Sequence, residues 1–288
     1  MPGPVRIAVA GGSGRMGRML VQAIFANDQF HLTGVLDQPD SLALGLDAAA
    51  FVGTSSGANN SANNSKNNST NSSVHITSDV RAGLQGAQVL IDFTRPEATL
   101  AHLAVCAELG VRAVVGTTGF SAQQKETLTA HAQRQALVVA PNMSVGVNVM
   151  LQLLARAAQA LGPDYDIEVL EAHHRHKVDA PSGTALAMGE VLAQARGLDL
   201  ARDGVFARHG HTGERNPQAI GFATLRGGDI VGEHTVLFCG AGERIEISHK
   251  SSSRANYAEG SLRAARFLAA LPAGATGLYG MNDVLGLK

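Results

Sequence analysis

The chain has 288 residues, of which 23 are Lys or Arg and 24 are Asp or Glu, so its formal net charge is −1. A balance so close to neutral excludes a protein that binds nucleic acid or membranes through its overall charge, and we expect neither as a partner. At ~150 residues per domain, the length predicts about two domains. Glycine is abundant, with 33 residues, and several of these form clusters directly after apolar runs.

The first half of the chain alternates between short apolar runs and amphipathic stretches. Val5–Ala10 is typical of a buried strand, and the amphipathic stretch 15–25 that follows it predicts a helix. Later apolar runs, separated by helical patterns, lie at 31–36, 88–93, 111–115 and 137–140. This alternation predicts βαβ units, and hence an α/β fold with a doubly wound parallel sheet of the Rossmann type.

Residues 53–73 form a tract of small polar residues, mainly Asn and Ser, with a single charge. Such a tract has too little apolar surface to offset the entropy lost on ordering, so we predict a disordered insertion that is functionally silent. The tract contains Asn-x-Ser/Thr triplets, but the N-terminus has no signal-peptide pattern. We therefore expect a cytoplasmic protein and an unmodified loop.

The pattern changes after residue 143, where a long predicted helix is followed by a strand over 165–171, a second helix and strand-rich sequence. The apolar runs 221–225 and 233–238 flank a glycine-containing turn, which predicts an antiparallel hairpin. These signals indicate a smaller α+β domain with a mixed sheet. The sequence does not decide which domain the last amphipathic helix, 253–270, packs against.

A glycine cluster, Gly11-Gly12-Ser13-Gly14-Arg15-Met16-Gly17, follows the first predicted strand and opens the first helix. It satisfies GxGxxG from Gly12 and GxxGxxG from Gly11, so its register is ambiguous by one residue. Glycines in this position permit a tight turn and let backbone N–H groups approach a pyrophosphate at a helix N-terminus. The cluster therefore predicts a dinucleotide site.

Asp37 ends the second predicted strand, at the roughly 20-residue spacing expected of an acid that binds the adenosine ribose. A carboxylate there repels a 2′-phosphate, and Gln38 brings no positive charge to offset it. We therefore expect NADH to be preferred, with NADPH possible because Arg15 is available to a phosphate. The turns at 116–119 and 140–143 follow later strands and are candidates for the nicotinamide side, although ordinary strand-to-helix turns have a similar composition.

The densest cluster of reactive side chains is the segment 171–177, with sequence Glu-Ala-His-His-Arg-His-Lys, which leads to Ser182-Gly183-Thr184. Ser182 starts a helix whose free N–H groups provide a second anion site beside imidazoles and an ammonium. This combination favours a small dicarboxylate substrate and proton-transfer chemistry. Three histidines in four residues also suggest a metal, but adjacent strand residues point to opposite faces and no Cys completes a tetrahedral set, so we expect no metal.

These motifs resemble those of the 4-hydroxy-tetrahydrodipicolinate reductase family, also called dihydrodipicolinate reductase, of lysine and diaminopimelate biosynthesis. The resemblance extends to 91–97, 115–120, 142–148, 211–215 and 228–234, and so spans nearly the whole chain. It implies NAD(P)H-dependent reduction of 4-hydroxy-tetrahydrodipicolinate to tetrahydrodipicolinate with loss of water. The alternatives are a related two-domain NAD-dependent amino-acid dehydrogenase and a non-catalytic NAD-sensing protein.

The resemblance also implies a role for each matching residue. The pyrophosphate would lie on Gly11, Gly12, Ser13, Gly14, Arg15 and Met16, the ribose on Asp37, and the nicotinamide side would be lined by Gly116, Thr117, Thr118, Ala140, Pro141, Asn142 and Met143. His173 and Lys177 would be catalytic, and His174, Gly183 and Thr184 would hold the substrate carboxylates. Which of His173 and Lys177 delivers the proton stays open.

The family further implies a particular division of the chain. Residues 1–143 and 253–288 would form the dinucleotide-binding domain, and residues 144–252 the substrate-binding and tetramerisation domain. The expected assembly is a homotetramer.

Overall fold

The computed structural model describes residues 3–54 and 73–287, so most of the predicted insertion 53–73 lies outside the described residues. In the described ranges the strands are β1 (Val5–Ala10), β2 (Phe30–Leu36), β3 (Ile76–Thr77), β4 (Val89–Asp92), β5 (Arg112–Val115), β6 (Ala136–Val139), β7 (Asp166–His173), β8 (Gly204–Val205), β9 (Ile220–Arg226), β10 (Gly232–Cys239), β11 (Arg244–Ser251) and β12 (Gly277–Tyr279). The helices are α1 (Arg15–Phe25), α2 (Ala48–Phe51), α3 (Val80–Leu84), α4 (Pro96–Leu109), α5 (Ala122–Ala132), α6 (Val145–Leu161), α7 (Gly183–Arg196), α8 (Leu200–Asp203), α9 (Ala255–Ala270) and α10 (Met281–Leu285). None of these helices is long and apolar enough to cross a membrane.

The chain divides into two units. The first holds the described residues up to Met143 together with Tyr257–Gly286, and the second holds Ser144–Asn256. Helix α9 therefore belongs to the first unit from Tyr257 onward, which answers the question that its amphipathic pattern left open.

The first unit contains a seven-stranded sheet in the order β12-β6-β5-β4-β1-β2-β3. All its neighbouring strands are parallel. Because β1 pairs with β2 on one side and with β4 on the other, the chain winds outward in both directions from the middle of the sheet. The predicted doubly wound parallel sheet is confirmed.

Alternate residues of β1 face two separate apolar clusters. Ile7 and Val9 pack with residues of α1 and α9, whereas Ala8 and Ala10 pack with residues of α4. A strand that is buried on both faces reads as a continuous apolar run, which is why the pattern in β1 was easy to recognise. Because these strands are parallel, their carboxyl ends, where the loops begin, lie at one edge of the sheet.

The second unit contains a mixed five-stranded sheet in the order β11-β10-β7-β9-β8. Strands β10 and β11 form an antiparallel hairpin, β10 is antiparallel to β7, and β9 is parallel to both β7 and β8. The predicted α+β unit with a mixed sheet is confirmed.

The predicted hairpin between 221–225 and 233–238 is wrong, because β7 lies between β9 and β10. The connecting segment passes the end of β7, where Gly227 N–H donates to the His173 carbonyl at 3.0 Å and Arg175 N–H donates to Gly228 at 3.2 Å. A glycine-containing turn indicates that the chain reverses direction. It does not indicate whether the strands before and after it, here β9 and β10, pair with each other.

One face of β7 carries the site. Ile167 and Val169 pack with α6 and α7 in the core of this unit. The same side of the strand continues with Glu171 and His173, which are also buried. This face of β7 therefore begins with two apolar core residues and ends with the buried polar side chains of Glu171 and His173.

Candidate active site

The glycine loop after β1 has a defined register. Gly11 has φ +75°, and its carbonyl accepts a hydrogen bond from Gly14 N–H at 3.0 Å. A Cβ atom at Gly17 would lie 2.0 Å from the Gly11 carbonyl oxygen, so helix α1 crosses the loop at a distance that only glycine allows. The pattern is therefore GxxGxxG from Gly11. Gly12 has a packing role, because a Cβ there would lie 2.2 Å from Val35 Cγ1.

The N-terminus of α1 is prepared for an anion. Its N-cap residue, Gly14, provides no capping side chain, and the first turn contains no acidic residue. Backbone N–H groups and the positive end of the helix dipole are therefore directed at the space beyond the loop. These features fit a pyrophosphate.

Asp37 is held directly against this loop. Its Oδ2 accepts a hydrogen bond from Ser13 N–H at 2.8 Å and from the Ser41 hydroxyl at 3.2 Å, and its Oδ1 accepts one from Gln38 N–H at 2.9 Å. The structure therefore brings the predicted ribose-binding acid and the predicted pyrophosphate loop into contact. Together they fit the adenosine half of a nicotinamide dinucleotide.

The turn after β5 lies close to the end of β4. A Cβ atom at Gly116 would lie 2.1 Å from the ring of Phe93. Thr117 is buried, and its hydroxyl lies 2.8 Å from that of Thr99 in α4. Thr118, in contrast, is exposed. Of the predicted nicotinamide-side residues in this turn, Thr118 is thus the one with a solvent-facing side chain.

Asp92, the last residue of β4, is the centre of a buried network that the motifs did not identify. Its Oδ1 accepts from Thr94 N–H at 2.8 Å and from the Thr94 hydroxyl at 2.6 Å, and its Oδ2 lies 2.7 Å from His102 Nδ1. Burial by itself would raise the pKa of Asp92, but His102 and Thr94 outweigh burial and lower this pKa. Asp92 therefore remains a carboxylate at the end of β4.

The turn after β6 also begins at this edge, because Ala140 N–H donates to the Val115 carbonyl at 3.1 Å. Pro141 is exposed and Asn142 is half-buried. Met143 belongs to the apolar core, and its carbonyl oxygen would lie 1.7 Å from a Cβ atom at Gly260 in α9. Met143 is thus placed to support the turn from beneath.

In the second unit, the carboxylate of Glu171 is saturated with donors. Arg226 binds both of its oxygens, at 2.8 and 2.9 Å. Ser182 N–H donates to Oε1 at 3.0 Å, and Oε2 lies 2.7 Å from His173 Nδ1. Burial would raise the pKa of Glu171, but the hydrogen bonds from Arg226, His173 and Ser182 lower it to about 2. Glu171 is therefore ionised at neutral pH.

A second histidine packs against His173. The ring of His234 meets that of His173 edge to face, with 5.1 Å between centroids, and its Nε2 lies 3.1 Å from the Ser182 hydroxyl. Burial, with a smaller contribution from the charge of His173, lowers the pKa of His234 to about 4. His234 is therefore neutral at pH 7.

The other predicted substrate residues lie on the segment after β7 and at the start of α7. Ser182 caps α7 by accepting from Ala185 N–H at 3.2 Å, which places Gly183 and Thr184 in its first turn. Lys177 Nζ lies 2.8 Å from Asp179 Oδ1, and Nε2 of His174 lies 3.4 Å from Nη2 of Arg254.

The pKa of His174 is lowered, first by desolvation and then by the charge of Arg254. The imidazole of His174 and the ammonium of Lys177 lie on the short segment that joins β7 to α7.

Several residues of this site carried no role at the level of sequence. Arg226 was assigned only to a turn, Asp92 and His234 lay inside quoted motifs without a function, and His102 lay in no motif. Glu171 and His173 are two residues apart on a strand, so they share one face, and this spacing is the signal that could have paired them. In the described ranges, no group of three or more His, Cys, Asp or Glu side chains is arranged to hold a metal ion.

A parallel sheet with a glycine loop and a ribose-type acid, joined in one chain to an α+β unit with a buried carboxylate–imidazole pair, defines a two-domain nicotinamide-dependent oxidoreductase. Comparison with protein families then identifies which one. The family described as dihydrodipicolinate reductase, N-terminus, matches residues 5–143, and its counterpart, dihydrodipicolinate reductase, C-terminus, matches residues 146–285. The chain belongs to the dihydrodipicolinate reductase family, and the predicted resemblance is confirmed.

Individual relatives agree with this assignment. The 4-hydroxy-tetrahydrodipicolinate reductase of Cupriavidus taiwanensis is 58% identical over 284 residues, covering 99% of this chain and 100% of the relative. That of Herminiimonas arsenicoxydans is 57% identical, covering 99% of each chain. The dipicolinate-bound dihydrodipicolinate reductase from Paenisporosarcina sp. TG-14 shares the fold, with a TM-score of 0.72 and 24% identity over 97% of this chain and 98% of that one.

Proposed function

We propose that this protein reduces 4-hydroxy-tetrahydrodipicolinate to tetrahydrodipicolinate with loss of water, using NAD(P)H, as a step of lysine and diaminopimelate biosynthesis. The observation that carries the proposal is the arrangement around His173, in a chain that matches the reductase family over almost its whole length. A buried imidazole with an ionised partner, next to the N-terminus of α7, combines a proton donor with an anion site.

The substrate is a small dicarboxylate in this proposal. Lys177 and His174 supply positive charge and hydrogen-bond donors, and the first-turn N–H groups at Gly183 and Thr184 supply backbone donors. The Paenisporosarcina relative, described with dipicolinate bound, supports a ring that carries two carboxylates. The second unit is accordingly the substrate-binding domain, and we propose that it also carries the contacts of a homotetramer.

The first unit binds the cofactor. The loop from Gly11 to Met16 holds the pyrophosphate, and Asp37 accepts hydrogen bonds from the adenosine ribose. The turns at 116–118 and 140–143 line the nicotinamide side. When bound at these residues, a reduced nicotinamide would supply a hydride to the substrate.

Proton delivery falls to the second unit. His173, protonated on Nε2, or Lys177, protonated on Nζ, gives a proton to the ring carbon next to the position that is reduced. The surrounding cations stabilise the negative charge that builds up beside the carboxylates.

We propose a preference for NADH over NADPH, because the Asp37 carboxylate repels a 2′-phosphate and Gln38 does not compensate. NADPH remains usable, since Arg15 is exposed at the start of α1. Equal or higher kcat/KM with NADPH would contradict this preference.

The deciding experiment follows NADH oxidation in the presence of 4-hydroxy-tetrahydrodipicolinate generated enzymatically in the cuvette. We expect turnover that depends on this substrate and is inhibited by pyridine-2,6-dicarboxylate. Reduction of NAD⁺ by amino acids, without turnover of this substrate, would favour a related amino-acid dehydrogenase, and tight NADH binding without turnover would favour a sensing protein. Sedimentation of the purified chain tests the homotetramer.

A further inference from the structure

Hydrogen-bond donors from several elements surround the carboxylate of Glu171. Arg226 from β9, Ser182 N–H at the start of α7 and His173 from its own strand surround it, and the Thr224 hydroxyl donates to Oε1 at 3.3 Å. Arg226, Ser182 N–H and the Thr224 hydroxyl all donate to Glu171 and stabilise its ionised form. An ionised carboxylate has no proton to give, so in the contact with His173 it is the acceptor.

This contact determines the protonation pattern of His173. A carboxylate only accepts, so the hydrogen in the 2.7 Å contact belongs to Nδ1 of the imidazole. Nε2 is then the nitrogen that gains and loses a proton. A Cβ atom at Gly232 would lie 3.0 Å from this Nε2, so glycine at that position keeps the space beside it open.

We propose that Glu171, held by Arg226, is the positioning residue of the reaction: it fixes His173 in the form with Nδ1–H toward Glu171, leaves Nε2 to deliver the proton, and stabilises the imidazolium. The inference rests on the proposed function, because it deepens the role of the same site. Glu171 contacts His173 and not the reacting atoms, so its effect on the reaction passes through the imidazole.

The charged and titratable groups around His173 explain why an anion is needed. Besides Glu171, they are Arg226 from β9, His234 from β10, and His174 and Lys177 from the segment after β7. The guanidinium of Arg226 and the ammonium of Lys177 disfavour a further positive charge on the His173 ring. The carboxylate of Glu171, 2.7 Å from Nδ1, offsets them.

The test is Glu171→Gln in the full-length enzyme. We expect kcat to fall by roughly 10- to 100-fold, in the range that proton transfer by a positioned group contributes, with KM for substrate and for NADH within about threefold of wild type. The alkaline limb of the kcat profile should move to lower pH by about one unit or more, because a neutral amide no longer stabilises the imidazolium.

The matched control is Glu168→Gln. Glu168 is on the same strand, and it too pairs with arginines, through Arg208 at 2.8 and 2.9 Å and Arg215 at 2.9 Å. It lies on the opposite face of β7 from His173, so its loss should leave kcat and the pH profile unchanged. Equal losses of kcat in both variants, or an unshifted profile in Glu171→Gln, would overturn the proposal.

A double-mutant cycle with His173→Gln separates positioning from folding. If Glu171 acts through His173, the double variant should have a kcat less than about threefold below that of the His173→Gln single variant. A full additional loss in the double variant would assign Glu171 a separate role and overturn the proposal.

Nitrogen NMR of labelled histidines in the wild-type protein tests the same inference without turnover. We expect neutral His173 to carry its hydrogen on Nδ1, and a hydrogen on Nε2 instead would overturn the proposal. This result is independent of the substrate, so it distinguishes failure of the positioning role from failure of the proposed reductase function. It also stands if Glu171→Gln does not fold.

Discussion

Nδ1 of His102 lies 2.7 Å from Oδ2 of Asp92, in the same kind of contact that joins His173 to Glu171. Each unit thus buries one carboxylate–imidazole pair at the end of a strand. In both pairs additional donors hold the carboxylate in its charged form, Thr94 in the first unit and Arg226 in the second. Buried charge of this kind makes the stability of each unit depend on pH.

Asp92 should make the first unit sensitive to acid. Its folded-state pKa is lowered, so it contributes stability that is present above its unfolded pKa of ~3.9 and is lost as the pH falls further. Asp92→Asn should lower the free energy of unfolding at pH 7 and flatten its pH dependence between about pH 5 and pH 2. Urea unfolding followed by circular dichroism measures both. The exposed Asp40 is the control, and Asp40→Asn with the same loss of pH dependence would refute the assignment.

Replacing Arg226, the bidentate partner of Glu171, should lower the free energy of unfolding. Arg226→Met leaves a buried carboxylate without its bidentate partner, and we expect a loss of roughly 3–5 kcal/mol in the free energy of unfolding at pH 7. The pKa of Glu171 near 2 corresponds to a contribution of about 3 kcal/mol, which should disappear as the pH falls from about 4.5 to 2.

The control for this variant is Arg244→Met, which removes an exposed arginine that pairs with Glu246. Exposed pairs contribute at most about 1 kcal/mol, so this change should be nearly neutral. Similar losses in the two arginine variants would argue against a special role for burial.

The glycine loop should tolerate substitution according to available space. Gly17→Ala places a Cβ atom 2.0 Å from the Gly11 carbonyl oxygen, and it should cost at least about 2 kcal/mol and weaken NADH binding. Gly14→Ala, whose Cβ would lie 3.1 Å from the same oxygen, should cost clearly less. Calorimetric titration with NADH and thermal unfolding give both quantities. The reverse order would contradict the close packing of α1 against the loop at Gly17.

The cofactor preference should respond to charge at position 38. Gln38→Arg adds a donor for a 2′-phosphate beside Asp37, and we expect kcat/KM with NADPH to rise by roughly 10-fold, the value of one charge-assisted hydrogen bond. The value with NADH should change little, since the NADH ribose carries no phosphate. Steady-state kinetics with both cofactors provide the measurement, and a parallel change for NADH would point to a general effect on folding.

His173 and Lys177 should differ in which kinetic constant they affect. His173→Gln should lower kcat by roughly 100-fold or more with little change in KM, because it removes a proton donor. Lys177→Met should raise KM for the substrate by roughly 10-fold and also lower kcat, because the ammonium serves a carboxylate and the developing charge. Lys250→Met, at an exposed lysine paired with Glu233, is the control. Unchanged kcat in His173→Gln would remove this residue from the chemistry.

Much of the fold could be predicted because its signals are local. Strand β1 and helix α1 have the predicted bounds, since apolar runs and 3.6-residue periodicity report burial within one segment. Strand β12 was missed because three residues, Gly277–Tyr279, are too few to show a period. The placement of β7 between β9 and β10 was also missed, because turn residues carry no information about which strands pair.

For the candidate site, the sequence by itself determined which chemical groups are present and which of them share a segment. Asp37, His173, His174 and Lys177 could be named from spacing and from motifs, and the family could be recognised from the same residues. Only the tertiary structure decided which groups meet. Arg226 reaches Glu171 from 55 positions away, and His234 reaches Ser182 from 52. Such contacts depend on strand order and burial, which arise from the packing of the whole unit, and so no local pattern encodes them.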